Sequence, residues 1–251
     1  MLLLPGWAWA HSLWINATRY FVEPGRPMTV IYIGWGHAFP ADDIPRPGLI
    51  KGAWLVRPGG GRERLRLREG GFRATLLRLD REGTYIVAAE LNPGFYTMAL
   101  DERGRLHHIL GPKTLAKGRV ILSHYFEQYA KAVITVGKGS DDFSRPVGQR
   151  FEIVPLANPA GLKVGDYFPV KVLFEGKPAS FCRVFATYVG FSTEEAYAYA
   201  VTAGLDGVAR IRILHPGQWL VKAALKRPPS PERRGKCDME SYTATLTFAV
   251  R

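Results

Sequence analysis

Two cysteines, Cys182 and Cys237, are all that 251 residues contain. So few exclude a disulfide-built scaffold, a CxxC redox pair and a cysteine-based zinc cage. Carboxylates are also scarce, 22 against 34 Lys and Arg, which leaves a formal charge of +12. No apolar run approaches the roughly 20 residues that a spanning helix needs, so no transmembrane segment is expected. GxSxG, HExxH, a Gly-rich phosphate loop and a GxGxxG after a strand are all missing. The chain therefore lacks the signatures of serine acyl transfer, thermolysin-like zinc hydrolysis and nucleotide binding, and reads as a protein without enzymatic activity.

The basic excess marks no particular partner. Residues 1–157 hold 21 basic and 14 acidic groups and residues 158–251 hold 13 and 8, so neither part is a basic tail. In the densest stretch Arg64, Arg66 and Arg68 alternate with Leu65 and Leu67. That period of two describes a strand with one wet face and one buried face. Without a helix-turn-helix, a finger spacing or an aromatic ribonucleoprotein motif beside it, nucleic acid is not an expected partner.

Present in quantity are hydrophobic residues (47%), aromatics (12%), 27 Gly and 18 Pro, enough for a buried core divided by many turns. Short alternating runs predict strands at residues 28–35, 53–57, 63–68, 72–79, 84–91 and 95–101. After residue 158 further strands follow at 167–174, 182–189, 196–202, 209–214, 219–226 and 242–250. Turns such as Asn92-Pro-Gly94, Leu205-Asp-Gly207 and His215-Pro-Gly217 separate them. A single short helix is expected within Leu115–Ala130, leading into a strand from Lys131 to Val136. The spacing predicts an all-β chain of two antiparallel, immunoglobulin-like sandwiches, residues 11–157 and 158–251.

The first ten residues end in Ala8-Trp9-Ala10, the small-x-small pattern of signal-peptide cleavage after an apolar stretch. They are read as a residual signal peptide, shorter and less charged than a full one; an ordinary first strand is the other reading. Cleavage after Ala10 would make His11 the first residue. Its free amine and its imidazole could then chelate one ion together.

Several stretches together resemble one family. His11-Ser-Leu-Trp-Ile15, Phe21-Val-Glu-Pro-Gly25 and Gly34-Trp-Gly-His-Ala-Phe-Pro40 are similar to the opening of the DUF4198 proteins of bacteria. Glu152-Ile-Val-Pro-Leu-Ala-Asn-Pro159, Val172-Leu-Phe-Glu-Gly-Lys-Pro178 and Pro216-Gly-Gln-Trp219 are similar to its middle and second domain. The resemblance implies an exported, periplasmic protein found beside nickel or cobalt uptake systems, with membrane metal-transporter subunits as partners. It also implies a carboxypeptidase-regulatory-like second domain. In an exported chain, Cys182 and Cys237 either form one bridge around the loop Pro228–Gly235 or remain two thiols.

Imidazole is the usual ligand of Ni, Co, Cu and Zn, so the histidines are the candidate metal ligands. His37 follows a strand in Gly36-His-Ala-Phe-Pro-Ala-Asp-Asp43, where Gly34 and Gly36 allow a sharp turn and His11 can meet it from a neighbouring strand. A solvated turn residue is the alternative. His124, with Glu127 and Gln128 on its face if the segment is helical, completes the expected set of His11, His37 and His124; a half-buried core histidine is the alternative. His107 and His108, adjacent on a strand, point to opposite faces, and His215 sits in a turn. Three functions follow: a metal-binding accessory protein for nickel or cobalt uptake, a metal-free envelope interaction module, and a copper redox protein with a terminal histidine.

Overall fold

The computed structural model describes residues 11–46, 48–68 and 71–251, whose regular structure is almost wholly strand. The expected signal remnant, residues 1–10, lies outside the described residues. Three strands open the chain: β1 (Ser12–Ala17), β2 (Phe21–Val22) and β3 (Met28–Gly36). They are followed by β4 (Ile50–Val56), β5 (Arg62–Arg64), β6 (Ala74–Arg78), β7 (Gly83–Leu91), β8 (Gly94–Leu100) and β9 (Leu106–Ile109). The long β10 (Arg119–Val136) leads into β11 (Phe151–Pro155), β12 (Tyr167–Phe174), β13 (Lys177–Pro178) and β14 (Arg183–Tyr188). The last four are β15 (Tyr199–Thr202), β16 (Val208–Arg212), β17 (Gly217–Arg227) and β18 (Met239–Val250). Among the described residues the only helical turns are short 3-10 segments, and the all-β sandwich class expected from the sequence holds.

The helix expected within Leu115–Ala130 is absent. A 3-10 turn covers Lys113–Leu115, and β10 runs unbroken from Arg119. This strand is buried on both faces over most of its length, so no polar alternation shows in its sequence. Tyr129 and Val133 enter one core while Ala130, Ala132, Ile134 and Val136 enter the other. The strand expected at 63–68 pairs only as Arg62–Arg64, yet its alternation persists, with the arginines exposed and Leu65 and Leu67 half-buried.

Two cores result. One lies between the three-stranded sheet β1-β3-β6 and the strands β4, β7 and β10, and is filled by Leu13, Ile15, Ile31, Ile33, Val87 and Ile134 among others. The second lies between the four-stranded sheet of β11, β12, β13 and β16 and the strands β14, β17 and β18, around Trp219, Phe168, Phe248 and Tyr242. Fully burying each such side chain stabilises the fold by about 1.5–3 kcal/mol. One 11-stranded sheet serves both cores, because β10 pairs with β18 in parallel from His124↔Met239 to Ala132↔Thr247. The sheets are thus not wholly antiparallel. This seam carries a buried ion pair, Lys131 Nζ to Glu152 Oε1 at 2.7 Å, whose carboxylate also accepts the Val147 and Gly148 amides.

No bridge joins the cysteines. Both are free and buried. The Cys182 thiol donates to the Ala224 carbonyl at 3.3 Å, and the Cys237 thiol donates to the Arg233 carbonyl at 3.7 Å.

Candidate functional site

The register of one strand pair builds the site. β1 and β3 pair antiparallel with Ser12 opposite Gly36, so the next position outward sets His11 against His37. Their rings lie 4.4 Å apart between centroids, tilted by 50°. His11 also stacks on Trp35 at 5.3 Å. Burial pushes the His11 imidazole below its ordinary value and the nearby His37 adds to that, against the opposing pull of Asp43, Asp42 and Glu195. His11 is therefore neutral at neutral pH, the form that binds metal.

Buried groups fix the start of β1. Gln128 of β10 donates from Nε2 to the His11 carbonyl at 2.5 Å and accepts the Leu13 amide on Oε1 at 2.9 Å. From β18, Thr245 donates to the Leu13 carbonyl at 2.7 Å and Thr247 to the Ile15 carbonyl. All six residues of β1 are buried, so little slack remains around His11.

The turn carrying His37 is closed by Asp42. Its Oδ2 accepts the His37 amide at 2.6 Å and the Ala38 amide at 3.2 Å, which holds the carboxyl below the usual carboxylate range. Gly36 sits at φ +135°, and a Cβ there would fall 2.3 Å from Asp42 Oδ2. Gly34 is required for a different reason than turning: a Cβ would meet Trp14 Nε1 at 1.8 Å, because that indole crosses its face.

A carboxylate from the second half of the chain completes the arrangement. Glu195, in the segment between β14 and β15, accepts His37 Nδ1 on Oε2 at 2.8 Å. An ionised carboxylate can only accept, so Nδ1 is the donor of this pair and Nε2 is the ring nitrogen left to face a metal. This is the carboxylate–histidine arrangement that orients a metal-ligating imidazole. Lys222 of β17 donates to Glu195 Oε1 at 3.4 Å and to the Tyr197 hydroxyl at 3.1 Å. Tyr197 also donates to Glu195 Oε1 at 3.3 Å. Burial pushes the Lys222 ammonium down and the Tyr197 phenol up. Neither Glu195 nor Gln128 stands in a motif, and no local sequence pattern brings them to the histidines.

His124 is not brought to the pair. As a strand residue it lies opposite Glu127 in facing, and it is four positions, about 13 Å, from Gln128, which clamps His11. Its ring packs against Tyr96 at 5.4 Å and Phe126 at 6.3 Å, and burial pushes it to about 4. The other histidines have local partners: His107 with Asp101 at 3.0 Å, His108 with Tyr96, and His215 stacked on Tyr188 at 4.7 Å.

Among the described residues no set of three or more His, Cys, Asp or Glu side chains converges to hold a metal ion. Side chains supply two imidazoles. A third nitrogen is within the site only as the main-chain nitrogen of His11, which becomes a free amine if the chain is cut before it. Only on those terms would these residues make a three-nitrogen donor set, of the kind that suits Ni(II) or Cu(II).

A family model described as "Domain of unknown function (DUF4198)" matches residues 8–227. No curated protein matches this chain. Among solved structures, the D0-D1 domain of intimin is 12% identical, covering 94% of this chain and 97% of that one, with a TM-score of 0.24. A two-domain fibronectin type III segment from chicken tenascin is 13% identical over 94% and 97%, with a TM-score of 0.25. A DUF3823 family protein from Bacteroides uniformis is 13% identical over 96% and 99%, with a TM-score of 0.27.

Proposed function

The chain belongs to the DUF4198 family, and on that footing we propose that it is an exported accessory protein of nickel or cobalt uptake that carries one divalent ion on His11 and His37. The ion is cargo. His11 supplies its imidazole and, once freed by cleavage after Ala10, its amine; His37 supplies Nε2. Membrane transporter subunits are the proposed partners, and the periplasm the proposed compartment. Among the described residues no helix is long and apolar enough to cross a membrane.

One observation carries this reading. Glu195 accepts a hydrogen bond from His37 Nδ1 at 2.8 Å, while the neutral His11 ring stands 4.4 Å away. A solvated turn histidine has no need of a carboxylate brought from the other core to orient it. Asp42 and Asp43 raise the negative potential around the pair, which attracts a cation. His124 is left out of the ligand set.

The same nitrogen set supports copper as the second reading, since Cu(II) binds such donors more tightly than Ni(II), Co(II) or Zn(II). Native mass spectrometry of the protein purified from its own envelope, before and after adding Ni, Co, Cu or Zn, tests both. One bound Ni or Co with a chain starting at His11 supports uptake. Retained Cu supports the copper reading, and a chain that takes up no ion contradicts both.

A further inference from the structure

We propose that the open face of the long sheet holds a second binding site, a cleft that takes an amphiphilic carboxylate: one anionic head on an apolar body. Where β1 packs, the face is covered, since Thr245 and Thr247 of β18 bond the β1 carbonyls. Beyond that cover, β10, β18, β17 and β14 lie side by side and leave a cleft of about 360 Å³. That volume is in the range of small-molecule sites. This site shares Lys222 with the metal-pair network but depends on no metal.

The lining is chemically one-sided. Leu122, Phe185, Met239 and Phe181 give it apolar walls, and Arg183, Lys222 and Lys226 bring positive charge. No described residue lining it carries a carboxylate. The register holds the cations together: Arg183 pairs with Ala224, so Lys222 and Lys226 flank it at two positions either side on the same face. Lys222 is buried and pairs with Glu195, whereas Arg183 and Lys226 are exposed and give the cleft its head-group side. Apolar walls disfavour a bare inorganic anion, and the absence of acidic groups disfavours a cation.

Two further features sit on the same cleft. His124 lines it and is 5% exposed, and its Nε2 is buried with no hydrogen-bond partner among the described residues. Buried polar atoms are nearly always paired, so this nitrogen is an unmet hydrogen-bonding group on a residue that lines the cleft. Phe181 stands at the mouth with φ +59° and 65% of its surface exposed. A bulky residue held in the left-handed region and in water is strained, and such strain gathers at ligand sites. An apolar body in the cleft would give that ring something to cover.

Calorimetric titration of the full chain with octanoate, 1-octanol and acetate tests this. Octanoate is expected to bind one to one, and at least about tenfold more tightly than either of the others, the margin of one charge-assisted contact. Lys226→Met, on an exposed strand end, is expected to weaken octanoate by about tenfold without loss of fold. Phe181→Gly, which suits that φ, is expected to keep the fold and also weaken binding. Equal binding of 1-octanol or acetate, no binding of octanoate, or an unchanged affinity in both variants would overturn the proposal. His37→Ala is expected to bind octanoate as the native chain does, so this test and that of the metal pair fail separately.

Discussion

His37 Nδ1 and Glu195 Oε2 meet at 2.8 Å across 158 positions of sequence. The contact ties a turn of the first core to a segment over the second. It also leaves Nε2 as the His37 nitrogen not engaged by Glu195, beside His11. A carboxylate placed in this way typically raises metal affinity by about 10–100-fold.

Glu195→Gln therefore tests the orienting contact. The amide can still bond Nδ1 but no longer dictates which ring nitrogen carries the proton. Nickel affinity of protein starting at His11 is expected to fall by about 10–100-fold. The melting temperature is expected to fall as well because buried Lys222 loses its carboxylate partner, so affinity is read well below the unfolding range. Competition against a chromophoric chelator measures it, and an unchanged affinity would show that His37 needs no orientation from Glu195.

Acid stability reports on His124. Its imidazole sits at about 4 in the fold against an ordinary 6.5, so between these values the unfolded chain binds more protons. Stability is then fully present above about pH 6.5 and falls as the pH drops toward 4, by roughly 3 kcal/mol in all. Urea midpoints followed from pH 7.5 to 4 measure this, and His124→Gln should flatten that part of the curve. A native chain with no loss between pH 6.5 and 4 would contradict the buried, neutral imidazole.

The seam between the two cores rests on Lys131 and Glu152, 1% and 2% exposed. Lys131→Met leaves a buried carboxylate that keeps only the Val147 and Gly148 amides. A loss of about 3–5 kcal/mol is expected in denaturant unfolding. Adding Glu152→Gln to that variant should recover part of it, because the orphan charge is removed; no recovery would place the cost in packing instead.

The thiols should be silent in the folded protein. Burial pushes Cys182 up to about 12, and Cys237 is raised by burial as well. An aromatic disulfide reagent is expected to find two thiols per chain in denaturant and almost none without it. A non-reduced sample with no titratable thiol after unfolding would restore the bridge that export suggested.

Much of this fold could be read in advance, and the places that could not have physical reasons. The strands at Met28 and Tyr167 announced themselves by an alternating face, and those at Thr84 and Trp219 as short apolar runs bounded by turn residues. β10 was hidden because both of its faces are buried, so its short apolar runs suited helix and strand alike. The parallel pairing of β10 with β18 is a long-range choice that neither strand encodes alone. At the site, His11 and His37 were visible as residue types flanking strands, and the glycines of the turn as punctuation. Gln128 and Glu195 were invisible, since their work is done by tertiary contact. His124 was drawn into the set by an expected helix that the chain does not form.

Nickel titration calorimetry on protein beginning at His11, set beside the same chain with residues 1–10 retained and beside His37→Ala, tests the central claim most directly. One ion per chain is expected for the first. A loss of at least about a hundredfold in affinity is expected for each of the others, as a ligand nitrogen is removed each time. Equal binding by all three, or none by the first, would contradict it.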